Sequence, residues 1–188
     1  EVRRGWRLLN DLGLEDALLP ELAACRGMAQ SRYHHLDVYE HTLAALDNAE
    51  DLLDATSFWL PLPAAEPDLD VRPWSDDDRL IVLLAALTHD LGKPATRVVH
   101  PDGRVGFPNH AAVGAAVVDT LAARWRWSTS QRRAVRHLVD THLDLGYALH
   151  QRVDARARWQ LRQRLAPNVA EAVVLSVADR LATAGLAD

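Results

Sequence analysis

Apolar residues recur at helical spacing through nearly the whole chain, and turn-forming residues interrupt them at intervals. Residues 3–10 and 15–25 read as two short helices broken by Gly13, with Pro20 at a bend. Asp37 and Glu40 stand at capping-box spacing ahead of an amphipathic run from Val38 to Leu53. Pro61, Pro63, Pro67 and Pro73 then forbid a continuous helix, so 56–78 is expected to be a long surface loop with a short turn at Trp59. Ser75 with Asp76, Asp77 and Asp78 caps the next helix, Arg79 to about Asp90, which Gly92 and Pro94 stop. That helix is apolar nearly all round (LIVLLAAL) and should therefore run through the core. Residues 97–107 (RVVHPDGRVGF) put a turn between two β-like pieces, the pattern of a small hairpin or irregular loop. Asn109 is expected to cap a helix to about Trp125, and further helices follow at roughly 129–143, 153–165 and 168–184. The pattern predicts a single all-α domain over 1–188, with 1–26 as an N-terminal helical extension.

Composition excludes several classes. The 188 residues are 48% hydrophobic and 25% charged, the balance of an ordinary globular domain rather than a disordered tail, a rod or a coiled coil. No apolar run approaches the roughly 20 residues of a membrane span. The start, EVRRGW, carries neither a methionine nor a signal-like apolar stretch, which predicts a trimmed or processed chain. Cys25 is the lone cysteine, so no internal disulfide is possible, as suits a reducing cytoplasm.

The net charge of −5 hides an asymmetry. Residues 1–120 hold ten basic against twenty acidic residues, whereas 121–165 hold ten arginines against only Asp140, Asp144 and Asp154. A basic segment on an acidic protein suits an anionic partner, and a solvated arginine face is the alternative.

The nine histidines matter by placement. His41 lies inside a helix, His89 and Asp90 end the apolar helix, His110 opens another, His142 closes a third, and Asp179 sits in the last. A lone histidine is usually a hydrogen-bonded core imidazole. An adjacent His-Asp pair at the end of an apolar helix, with histidines on neighbouring helices, favours a metal instead. Imidazole and carboxylate are the natural ligands of a borderline divalent cation, and binding one removes the cost of burying them unpaired.

The ordered set of His41, THDLGK with His89 and Asp90, NHAAVGA with His110, VDTHL with His142 and ADRLAT with Asp179 resembles the HD superfamily of metal-dependent phosphohydrolases. The flanking words YHHLDVYEHTLAAL, LTHDLGKPATR and FPNHAAVGA are similar to the HD domains of bacterial tRNA nucleotidyltransferases and to the HD phosphoesterase modules of polynucleotide end-healing enzymes. The resemblance covers about Gly27 to Ala184. It implies an all-α bundle around one or two divalent transition-metal ions (Mn, Fe, Co, Ni or Zn). His41, His89, Asp90 and Asp179 would hold the first, and His110 and His142 the second with Asp90 bridging; His137 is a weaker candidate. Asp90 and Lys93, the only lysine, would be catalytic, and Lys93, Arg97 and His35 would meet phosphate.

Neither the Gly-Ser and paired-acid signature of nucleotidyl transfer nor a P-loop is present in this sequence. The implied activity is hydrolysis of phosphate esters at RNA or nucleotide ends, favouring 2′,3′-cyclic phosphates and 2′-phosphates. A 5′-nucleotidase or dNTP phosphohydrolase is the alternative enzyme, and a non-catalytic, metal-holding tRNA-binding module the alternative of another class. RNA ends or nucleotides are the partners expected, with a covalently linked nucleotidyltransferase or kinase domain in the full-length protein. Trp125, Trp127 and Trp159, interleaved with Arg124, Arg126, Arg156 and Arg158, either stack on bases or, as helical spacing favours, fill the core.

Overall fold

Side-chain caps at Asp37, Ser75, Ser128 and Asp154 decide where four of the helices begin. A computed structural model describes residues 2–30, 35–55, 74–151 and 153–183. The chain opens with α1 (Val2–Asp11), α2 (Glu15–Leu18) and α3 (Pro20–Ala23), parted where Gly13 takes a left-handed φ of 66° and where Pro20 starts a new turn. Charge ties this segment to the next helix. Val2 and Arg3 donate backbone N–H groups to the Glu50 carboxylate, and buried Glu15 pairs with Arg26 at 3.0 Å. In α4 (Val38–Asp54), the N-cap Asp37 accepts from the Glu40 N–H at 2.8 Å and from the Gly27 N–H at 2.6 Å. One carboxylate thus starts the helix and pins the turn before it.

A full capping box of Ser75 and Asp78 opens α5 (Asp76–Thr88). Asp76, Asp77 and Asp78 are therefore the first turn of a helix, not the end of the expected 56–78 loop, whose residues 56–73, Trp59 included, lie outside the described residues. Pro94 does not stop the chain but sits in the first turn of α6 (Lys93–Thr96), where its missing N–H would have had no helical partner. The expected hairpin is present as β1 (Val98–Val99) and β2 (Val105–Gly106), antiparallel with Val98 opposite Gly106.

Asn109 precedes α7 (His110–Arg124) in a left-handed conformation, φ 59°, and its side chain makes no capping bond, contrary to expectation. Asparagine tolerates that conformation better than most residues, so its backbone, not its amide, makes the turn. Ser128 and Gln131 box α8 (Thr129–Thr141). The unpredicted α9 (Asp144–Gln151) follows, then α10 (Ala155–Leu165), capped by Asp154, and α11 (Val169–Thr183). No residue of α9 is fully buried, and at eight residues it is too short for a sustained helical period to mark it.

The apolar helix α5 lies at the centre, packed against α4, α8 and α11, with α11 along α4 and α7 along α8. Ile81, Val82, Ala85, Ala86 and Leu87 are buried on several sides of it, which is stable only inside a bundle. The fold is the expected all-α bundle with a small hairpin, and α5 ends where the His and Asp donors converge. No helix among the described residues is long and apolar enough to cross a membrane.

Candidate metal centre

His89 is the C-cap of α5 and Asp90 the residue after it. The chain leaves helical geometry there, so two adjacent side chains can reach the same place. His41 comes from the second turn of α4, His110 begins α7, His142 is the C-cap of α8, and Asp179 lies in α11. These six residues converge as two trios: His41, His89 and Asp179, and Asp90, His110 and His142, with each trio's donor atoms within 4.8 Å of one another.

Asp90 joins the trios. Its Oδ2 lies 3.2 Å from His89 Nε2 and 3.6 Å from His41 Nε2, while its Oδ1 lies 3.4 Å from His110 Nε2 and 4.0 Å from His142 Nε2. His41 Nε2 is 2.9 Å from Asp179 Oδ1.

The fit to cations rests on how the imidazoles are held. His89, His110 and His142 each donate Nδ1–H to the carbonyl three residues earlier, at Ala86, Phe107 and Val139, over 2.7 to 2.8 Å. That bond leaves the Nε2 lone pair as the free donor and fixes the ring. The Nε2 atoms then face each other, His89 against His41 at 3.4 Å and His110 against His142 at 3.3 Å. His110 and His142 both spend Nδ1–H on carbonyls, so their facing Nε2 lone pairs repel unless a cation lies between them. Ligands about 2.0–2.2 Å from one ion stand about 3.0–3.5 Å apart, close to these separations.

Electrostatics asks for the same charge. Burial opposes ionisation of Asp90, but His89 and Lys93 hold its carboxyl well below the usual range. Burial likewise opposes ionisation of Asp179, yet the bond to His41 and the nearby His89 bring it down to about 2. Burial disfavours a charged His89, but Asp90 and Asp179 overrule it and raise its pKa to about 9. Burial and the charge of His89 push His142 down to about 4, and burial lowers His110. The first trio thus draws positive charge, and the second offers neutral imidazoles, the ligating form.

Asp90, His110, His142 and Asp179 line a cleft of about 780 Å³, with His41 and His89 buried behind them. Lys93 also lines it, its Nζ donating to Asp90 Oδ2 and Gln30 Oε1, each at 2.6 Å. Gln30 was not read from the sequence, since it meets Lys93 across 63 positions and belongs to no motif. Arg97, the C-cap of α6, and His35, just before α4, are exposed and do not line the cleft. His137 belongs to neither trio.

Replacing His110 and His142 together with Ala is expected to lower bound metal from two ions to one. Elemental analysis of the loaded protein checks it, and an unchanged count would assign these histidines to substrate or core.

The arginine-rich segment divides. Arg124 pairs with Glu21, Arg132 and Arg136 with Asp119, and Arg164 with Asp144. Arg156 and Arg158 are exposed on α10, while Arg152 lies outside the described residues. Trp125 and Trp127 pack partly buried against the core. Trp159 does not: it is 62% exposed, against the core reading of its spacing.

Known proteins share this sequence pattern. The family model of the HD domain matches residues 38–184. Over 97% of its length the chain is 38% identical to the CC-adding tRNA nucleotidyltransferase of Thermus thermophilus, covering 36% of that protein. It is 33% identical over 76% of its length to the A-adding tRNA nucleotidyltransferase of Deinococcus radiodurans, covering 28% of it. A bifunctional uridylyltransferase/uridylyl-removing enzyme of Cereibacter sphaeroides is 29% identical over 74% of the chain, which covers 13% of that enzyme. The chain therefore spans about a third or less of these relatives. The matched region contains all six converging donors, and the chain belongs to the HD domain family.

Proposed function

We propose that this chain is a metal-dependent phosphoesterase acting on RNA or nucleotide ends, favouring 2′,3′-cyclic phosphates and 2′-phosphates. The observation that carries this reading is Asp90, which offers one oxygen to each donor trio at the floor of an open cleft. His41, His89, Asp90 and Asp179 would hold one divalent cation, and Asp90, His110 and His142 a second. Such cations, when bound, polarise a phosphoryl group and acidify water at neutral pH.

The chain's own groups do the rest. Asp90 keeps its carboxylate ionised and aligned through Lys93, and the backbone carbonyls of Ala86, Phe107 and Val139 keep three imidazoles in the ligating tautomer. Lys93 presents an ammonium on the cleft wall, where it meets negative charge growing on phosphoryl oxygens. Arg97 is exposed and does not line the cleft wall. A strained cyclic phosphate with a ribose hydroxyl as leaving group suits this modest set of groups. The kinship with tRNA nucleotidyltransferases supports an RNA end as substrate and a nucleotidyltransferase domain as the covalent neighbour.

The test is a panel of Mn, Fe, Co, Ni and Zn against 2′,3′-cAMP, 2′-AMP, 3′-AMP, 5′-AMP and dNTPs. Turnover of 2′,3′-cAMP and 2′-AMP, abolished by a chelator, is the expected outcome. Preference for 5′-AMP or dNTPs would make the protein a nucleotidase. Metal and tRNA binding without turnover would make it a non-catalytic module.

Neutralising Arg152, Arg156 and Arg158 together is expected to weaken oligonucleotide binding and to flatten its salt dependence. Turnover of a mononucleotide should barely change, because remote phosphates add binding and the metal centre acts on the reacting group. Filter binding at two salt concentrations beside mononucleotide kinetics checks it. Equal losses on both substrates would mean damage to the fold, and no loss would leave a solvated arginine face.

A further inference from the structure

We propose that α9 forms a nucleobase subsite on the wall of the cleft, with Tyr147 stacking on the base of the nucleotide whose phosphate meets the metal centre. The proposal rests on the phosphoesterase reading and names the part of the substrate beyond the phosphate.

Three large hydrophobic side chains left exposed by the fold line this one cleft: Tyr147 at 59%, Leu149 at 79% and Leu181 of α11 at 48%. Apolar residues exposed singly mean little, but several gathered in one cavity mark a ligand surface. Leu145 is the α9 side chain that packs partly buried against the core, and the exposed Tyr147 and Leu149 do not share that packing. Beside Tyr147, nothing stands within 4 Å of the place where Gly146 would carry a Cβ, so the wall is open to a ligand.

Size and lining chemistry select the occupant. A phosphate alone would leave most of the 780 Å³ empty, and that volume falls in the roughly 300–1,000 Å³ range of sites that hold whole small molecules. The cleft is lined by the metal-ligating side chains, by Arg180 and by the apolar side chains of α9 and Leu181. A nucleotide brings matching kinds of parts: an anionic phosphate, a ribose, and a flat apolar base. A tyrosine suits the last of these, since it is rigid and every base offers a π face to it. Stacking of this kind tolerates any base sequence, as an enzyme acting on ends requires.

Isothermal titration of the manganese-loaded protein with 2′-AMP and with glycerol 2-phosphate, which lacks the base, tests the subsite. The wild type is expected to bind 2′-AMP at least tenfold more tightly than glycerol 2-phosphate. Tyr147→Ala should weaken 2′-AMP by about tenfold, as loss of one base stack does, and leave glycerol 2-phosphate unchanged. Tyr147→Phe should retain the wild-type affinity. In kinetics, KM for 2′,3′-cAMP should rise in Tyr147→Ala while kcat holds. Equal affinity of the wild type for the two ligands, or equal losses on both in Tyr147→Ala, would overturn the subsite. If the wild type hydrolyses no phosphoester, the phosphoesterase reading fails by itself, and the 2′-AMP margin and its loss in Tyr147→Ala still decide the subsite.

Discussion

Asp90→Asn is expected to remove both metal ions and to abolish turnover while the helices stay in place. The side chain is buried, and its two oxygens serve different trios, so one substitution reaches both. The amide keeps the shape but is neutral, and its NH₂ end cannot ligate. Partners of metal ligands already cost about 10–100-fold in affinity when removed, so a bridging ligand should cost more. There is also a structural cost, because Lys93 loses the carboxylate at 2.6 Å. Breaking a buried pair costs about 3–5 kcal/mol, within the roughly 5–15 kcal/mol of a stable domain. Asp90→Asn combined with Lys93→Met separates the two effects, since it removes the stranded ammonium and should recover stability but not metal. His89→Ala, by contrast, should empty the first site before the second. Elemental analysis with circular dichroism reads all three variants. Near-normal turnover of Asp90→Asn in the presence of metal would overturn the site.

Gly92→Ala should be the most damaging single methyl that the fold admits near the centre. A Cβ there would stand 2.1 Å from the carbonyl oxygen of His110 and 2.5 Å from the Gly114 nitrogen. Both are backbone atoms of α7, and neither can turn aside. The backbone of Gly92 is unremarkable, with φ −81°, so space alone demands glycine. The methyl must push α6 and α7 apart, which costs about 2–3 kcal/mol and lowers Tm by roughly 5–10 °C in a domain of this size. Because His110 moves with α7, the second metal should weaken more than the first. Gly146→Ala is the control: nothing lies within 4 Å of its Cβ, and the substitution should be neutral or stabilise α9 by about 0.4–1 kcal/mol. Thermal melts beside metal titrations check the pair, and equal behaviour of the two variants would show that the Gly92 contact is not rigid.

Much of the centre was legible because its ingredients are local. Asp37, Ser75 and Ser128 cap the helices three residues ahead of themselves, and a cap depends on a few neighbouring side chains. His89, His110 and His142 each lock onto a carbonyl three residues back, so even their tautomers are set within one turn. The all-round apolar surface of α5 announced a central helix, since no other place would bury it. The ordered words around His41, His89, Asp90, His110, His142 and Asp179 pointed to the same six donors that converge.

What the words could not contain is distance across the fold. That Asp90 divides its oxygens between two trios depends on how α4, α7, α8 and α11 pack on α5, contacts between residues far apart in the chain. The same holds for Lys93, which Gln30 and Asp90 hold at the cleft, and for Arg97 and His35, which the resemblance put at the phosphate and which are exposed and do not line the cleft. Trp159 followed a helical period yet faces solvent, because periodicity tells which residues share a face and not which face the bundle covers. Helix α9 left no trace in the pattern for the complementary reason. Hydrophobic periodicity records burial, and α9, which walls an open cleft, fully buries no residue and rests on the core through partly buried Leu145.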